Sequence, residues 1–209
     1  MALFTRLSLF FTALFLAGCA VAPLSMHTTA RTNGKGNSML SVGSTIGVAN
    51  TSWVPSVRYS IGLTDDFDVG FQYEVVEYGA SAKYRLAGHG DEGFAFAALG
   101  GTGLSFSSGY YFFAGPVVSY KTGIFEPYFV ERFNYVHYSQ VDVNVGDVGS
   151  IHVDPGNYTY FQHTLGFFLW PLDWLGFGAE ASAFGTVGSP FILKGKDKFL
   201  FSGQFSFKF

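Results

Sequence analysis

Cysteine is almost missing from this 209-residue chain: Cys19 stands alone, so no internal disulfide can staple the fold. Charge is scarce as well. Asp, Glu, Lys and Arg make up 13% of the residues, about half the share in an ordinary water-soluble domain. The formal net charge of −3 supplies no basic surface, so nucleic acid is not an expected partner. Long apolar runs are missing too. After residue 20 nothing approaches the roughly eighteen apolar residues of a membrane-crossing helix, and any crossing therefore falls to strands. His163 stands without ligand spacing, and neither a metal nor a cofactor is expected. Against these absences stand 19% aromatic residues and 27 glycines. That mix suits curved strands with one large apolar face.

The last segment shows the pattern most clearly. From Phe199, every second residue is Phe or Gly (Phe199, Phe201, Gly203, Phe205, Phe207, Phe209), while the residues that alternate with them, Lys198, Leu200, Ser202, Gln204, Ser206 and Lys208, are mostly polar. Strand side chains alternate faces, so one face is aromatic and the other wet. An aromatic face of this length would aggregate in water and suits lipid. Similar alternation, broken by turn residues, predicts strands at 38–49, 53–63, 67–77, 80–86, 93–106, 110–120, 124–140, 157–170, 174–186 and 198–209. The expected fold is all-β: an antiparallel up-and-down transmembrane β-barrel of about ten strands, eight being the alternative. The connections 64–66, 87–92, 121–123 and 171–173 are short and fall at one end. The long ones, 141–156 and 187–197, fall at the other, which is expected to face outside the cell. The first of these alternates on both sides of a Gly-rich turn and is expected to prolong its hairpin above the membrane, carrying contacts to an unidentified extracellular ligand. Its Asp142, Asp147 and Asp154 read as solvated loop residues.

Alternation alone does not say which face is inside, since a soluble lipocalin-like barrel inverts it. Mid-strand charges decide. Arg58, Glu74, Lys83, Arg85 and Glu180 would ruin a dry ligand cavity but can line a polar lumen. A Tyr78-Gly79 turn would set Glu74 opposite Lys83 and Gln72 opposite Arg85. A turn at 64–66 would set Arg58 beside Gln72 and Ser56 beside Glu74. The expected lumenal cluster is therefore Arg58, Gln72, Glu74, Lys83, Arg85 and Glu180, packing the barrel with compensated charges. A narrow path for small solutes is the rival reading, although a barrel of this size has little spare room.

One strand resists simple alternation. Glu131 and Arg132 are adjacent near its middle, so one must face lipid unless a β-bulge turns both inward, and the bulge is the expected solution. Farther along lie His137 and Ser139. With Glu131 they form the weak catalytic candidates: a base, a nucleophile and an acid. The run His137-Tyr138-Ser139-Gln140 loosely resembles the His-x-Ser-Asn motif of outer-membrane lipid A deacylases, which implies a lipid-modifying hydrolase. Gln140 replaces the motif's Asn, and Glu131 precedes the His whereas the family's acid follows it. Rim polar residues are the expected role of His137 and Ser139, and no enzyme is expected.

The first twenty residues carry an address. Arg6 precedes an apolar run from Leu7 to Leu16, too short to span a bilayer. Leu16-Ala17-Gly18-Cys19 resembles the lipobox of bacterial lipoproteins, which implies lipidation, including a palmitate-type acyl chain, at Cys19. Ala20 stands where the inner-membrane retention signal has Asp. The aromatic strand ending in Phe209 resembles the terminal strand of bacterial outer-membrane β-barrels. These resemblances imply a signal peptide over 1–18, a lipidated tether over 19–36 and a barrel domain over 37–209. They also imply a bacterial outer-membrane location, anchored from the periplasmic side at Cys19. The implied partners are outer-membrane lipid, the barrel assembly machinery and the lipoprotein sorting machinery. The expected role is that of a small, largely filled barrel, structural or surface-binding through its outer loops.

Overall fold

The computed structural model describes residues 22–47, 53–74, 77–105, 109–139, 141–144, 150–153, 155–186 and 199–209. Residues 1–21, with the expected signal segment and Cys19, lie outside the described residues, as do Asp147, Asp154 and the connection 187–198. Twelve strands form: β1 (Ser38–Gly47), β2 (Trp53–Gly62), β3 (Phe67–Glu74), β4 (Glu77–Ala87), β5 (Gly93–Ser105), β6 (Gly109–Lys121), β7 (Phe125–Tyr138), β8 (Val141–Asn144), β9 (Ser150–Val153), β10 (Gly156–Leu172), β11 (Leu175–Thr186) and β12 (Phe199–Lys208). Ten close into an antiparallel barrel in the order β1-β12-β11-β10-β7-β6-β5-β4-β3-β2. The pair β8–β9 forms its own small sheet, with Val141 opposite Val153 and Asn144 opposite Ser150. It prolongs the β7–β10 hairpin beyond the barrel.

Closure abolishes the sheet edges that lipid could not satisfy. At the seam, Ser38 and Phe209 exchange backbone bonds of 3.1 and 2.9 Å. The rim that holds these two residues is the near rim, bordered by the short connections 63–66, 88–92, 122–124 and 173–174. The far rim carries the β8–β9 projection and the long connection 187–198, together with the short connections 75–76 and 106–108.

The wall is apolar outside and largely polar inside. Val57, Tyr59, Phe71, Tyr73, Tyr84, Phe94, Phe112, Phe201 and Phe205 are exposed outward. Between them Ser56, Asp68, Gln72, Glu74, Lys83, Gln204 and Ser206 are buried inward. No helix of the described residues is long and apolar enough to cross a membrane; this wall crosses it with strands. The inner faces of β5, β6, β7 and β10 differ, with Ala97, Tyr111, Phe113, Val117, Tyr128 and Phe168 forming an apolar side to the lumen.

Two expectations are corrected. The β3–β4 hairpin does not turn at Tyr78-Gly79: Glu74 lies opposite Glu77, Gln72 opposite Gly79 and Lys83 opposite Asp68. Each partner moves along by an even number of residues, so every side chain keeps its face while its neighbour changes. The Glu131–Arg132 bulge is also absent. Strand β7 pairs with β10 without a shift from Tyr138 to Phe125. Arg132 points inward and is fully buried, whereas the Glu131 side chain faces outward and is 43% exposed. A carboxylate costs less on the lipid face than an arginine, so regular pairing spends the smaller penalty.

The segment before β1 does not hang below the barrel. It descends through the lumen from Ala22 and reverses at the near rim through Gly34 and Gly36, both with φ of +80°, a conformation that favours glycine. Gly36 N–H donates to the Gly62 carbonyl at 2.8 Å. Gly62 itself has no room for a Cβ against the Gly34 carbonyl.

Candidate functional site

The lumen and the chain inside it form the candidate site. Residues 22–34 make no regular secondary structure, so their backbone donors and acceptors must find partners elsewhere if buried. The wall supplies them with side chains. Near the far rim, the Ala22 N–H donates to the Tyr160 hydroxyl at 3.2 Å, and Arg132 donates to the Pro23 carbonyl. Gln162 donates to the Leu24 carbonyl at 2.9 Å.

Two carboxylates then take consecutive amides. Glu74 accepts from Leu24 N–H at 2.9 Å and Ser25 N–H at 3.4 Å. Glu180 accepts from Met26 N–H at 3.0 Å and from His27 N–H. His27 has a φ of +38°, unusual for a residue with a Cβ. That turn aims two successive N–H groups at one anion, as backbone nests do. Arg58 donates to the carbonyls of Ser25 and Met26. Lower down, Lys83 donates to the carbonyls of Thr29 at 3.1 Å and Arg31 at 2.5 Å. Ala30 N–H reaches Ser119 Oγ at 3.2 Å, and Asn33 N–H reaches Asp68 at 3.1 Å.

Charge pairs brace this framework. Arg58 lies 3.1 Å from Glu74, Lys83 lies 3.3 Å from Asp68, and Arg31 lies 3.5 Å from Glu126. Glu180 also accepts from Tyr128 at 2.8 Å and from Ser202 at 3.2 Å. On the apolar side, Met26, Ala30 and Ala22 pack into the aromatic cluster, and the Arg132 guanidinium stacks 4.9 Å from the Phe113 centroid.

Of the lumenal residues singled out on sequence, Arg58, Glu74, Lys83 and Glu180 all grip the inner segment. Gln72 instead donates to the Tyr111 hydroxyl at 3.1 Å. Arg85 sits at the near rim, tying Asp66 at 2.8 Å. Sequence reasoning missed Asp68, Ser119, Arg132, Tyr160 and Gln162 as contacts. Their inward parity was readable; the partner they meet was not.

The catalytic candidates do not come together. Glu131 and His137 share the outward face of β7, six positions and roughly 20 Å apart at strand spacing. Glu131 instead approaches His163 across β10, Oε1 to Nδ1 at 3.9 Å. His137 stacks on Tyr110 with ring centroids 4.7 Å apart and meets Asn157 Oδ1 at 2.7 Å through Nδ1. With Tyr135, whose hydroxyl donates to the same Asn157 oxygen at 2.9 Å, it belongs to a far-rim belt of aromatic residues. Among the described residues, no group of His, Cys, Asp and Glu is arranged to hold a metal.

No family model matches the chain, and no curated protein is detectably similar to it. Solved structures do resemble it. The NanC porin aligns over 81% of this chain and 100% of its own, with a TM-score of 0.52 and 9% identity. The N-terminal β-barrel domain of Pseudomonas aeruginosa OprF aligns over 84% and 99%, with a TM-score of 0.44 and 10% identity. Ail, the attachment invasion locus protein of Yersinia pestis, aligns over 84% and 99%, with a TM-score of 0.31 and 12% identity. The likeness is one of fold.

Proposed function

We propose that this protein is a bacterial outer-membrane barrel, made as a lipoprotein and closed by its own N-terminal segment. Its working surface is the far-rim projection built on β8 and β9, and its role is structural or surface-binding rather than enzymatic. The observation that carries this reading is the occupancy of the lumen: side chains from seven barrel strands bind the backbone of residues 22–33 directly. A pore would have to break these bonds before solute could pass. A hydrolase would need His137, Ser139 and an acid in mutual reach, and Glu131 is too far away to serve.

Planar-bilayer recording of the full-length mature protein tests the proposal. The expected trace is silent at moderate voltage. Stable, reproducible conductance steps from the unaltered protein would overturn the closed-barrel reading and favour a small-solute pore.

A further inference from the structure

Glu131 and His163 take no part in gripping the inner segment. They are direct cross-strand partners on the outward face of β7 and β10. Glu131 stands six positions from Phe125 and seven from Tyr138, and His163 seven from Gly156 and nine from Leu172, so both lie near the middle of the wall. Their side chains are 43% and 44% exposed, and Glu131 Oε1 comes no closer than 3.9 Å to His163 Nδ1. That is beyond hydrogen-bond distance. Among the described residues neither side chain makes a hydrogen bond. Ionisable groups facing hydrocarbon at this depth are costly unless something pairs with them.

The wall around the pair is shaped for close approach. On one flank His163 lies opposite Ala183 of β11. A Cβ added at Gly185 would stand 3.6 Å from His163 Nε2, so the glycine leaves that nitrogen uncovered on this side. On the other flank the Gly115 backbone lies so close to the Glu131 carbonyl that a Cβ has no room, and the neighbouring Ala114 is exposed. Toward the far rim stand Phe133 and Phe161, edge to face with centroids 5.6 Å apart. Toward the near rim stand Phe129 and Leu165, both exposed. The pair is thus a low polar spot with apolar side chains above and below it, the layout of a patch that excludes its surroundings when docked.

We propose that this patch is the contact surface for a second copy of the same barrel within the membrane. Charge complementarity argues for that occupant. Across a twofold axis each residue meets its counterpart in reverse order, so Glu131 faces the partner's His163 while His163 faces the partner's Glu131. The His163 Nε2–H donates to the partner's carboxylate, and both ionisable groups leave the hydrocarbon together. Lipid head groups do not reach this depth, since the middle of the bilayer lies about 15 Å from either interface. A lone barrel would be better served by an apolar residue at position 131; a paired one would not.

Sedimentation equilibrium of the full-length mature protein in density-matched detergent tests the proposal. At a high protein-to-detergent ratio the expected species is a dimer that dissociates as detergent is added. Glu131→His alone puts two imidazoles on the patch, and His163→Glu alone puts two carboxylates there. Each variant is expected to associate about tenfold more weakly or worse, with the heat-dependent gel mobility of the closed barrel unchanged. Mixed one to one, the two variants restore both acid–base contacts, and the dimer should return. Ala183→Trp raises the wall beside His163 without altering any charge and should weaken the dimer independently. An unaltered protein that stays monomeric at every ratio would overturn the proposal in favour of a different occupant. A dimer indifferent to all three substitutions, or a mixture of folded variants that stays monomeric, would overturn it as well.

Discussion

Glu74 and Glu180 explain why a membrane barrel with so few charges keeps several of them in its interior. Each carboxylate takes two consecutive amides of an irregular strand that no β-ladder could satisfy, and Arg58 takes two of the intervening carbonyls. Glu180→Ala leaves the Met26 and His27 amides and the Tyr128 hydroxyl without their acceptor. A loss of about 3 kcal/mol or more in unfolding free energy is expected from urea titration in micelles. Glu131→Leu should act in the opposite direction, because it removes an ionisable group from the lipid face. The same titration should show stability unchanged or raised by about 1 kcal/mol, and a drop of that size would mean the Glu131–His163 contact contributes to the fold. At this scale the sequence was readable in one respect only. Parity along each strand shows that Arg58, Glu74, Lys83 and Glu180 point inward. It is silent on what they meet, because residues 22–34 have neither a period of two nor one of 3.6.

The strands themselves were legible almost to their ends. Alternation, aromatic faces and turn residues mark ten crossings, and the barrel order is the simple neighbour-to-neighbour one. Register was less legible. In β3–β4 the inward face is specified by the apolar pattern, but any even slip preserves that pattern, so Lys83 could be paired on paper with Glu74 while in the fold it meets Asp68. A double-mutant cycle separates the two arrangements. Asp68→Asn with Lys83→Met should show a coupling energy above about 0.5 kcal/mol, and Glu74→Gln with Lys83→Met should show less. The reverse order would restore the Tyr78-Gly79 turn. The Glu131–Arg132 pair teaches a related lesson. A bulge was the expected escape from a charge in lipid, yet the ladder stays regular because the lumen already holds acceptors for Arg132 in the Pro23 carbonyl and Gln162.

For the molecule as a whole, composition pointed to a membrane barrel, and the outward array from Val57 to Phe205 bears that out. The filled interior follows from the size of the ring: ten strands enclose little more than side chains require, and here part of that space is given to backbone. A cavity of about 210 Å³ remains beside the segment at the near rim, among Arg31, Lys83, Arg85, Lys121 and Lys208. Weakening the inner contacts should therefore expose a conduit. Glu74→Ala combined with Glu180→Ala is expected to give intermittent conductance in planar bilayers where the unaltered protein gives none; a silent double variant would mean the remaining contacts suffice to hold the segment.

The chain inside the ring also dictates an order of events in biogenesis. A closed cylinder offers an incoming chain end only a narrow, charge-lined entrance, whereas an open sheet can curl around a segment already laid along it. Pulse-labelling of assembly intermediates should therefore find the β1–β12 seam pairing no earlier than residues 22–34 become protected inside the barrel.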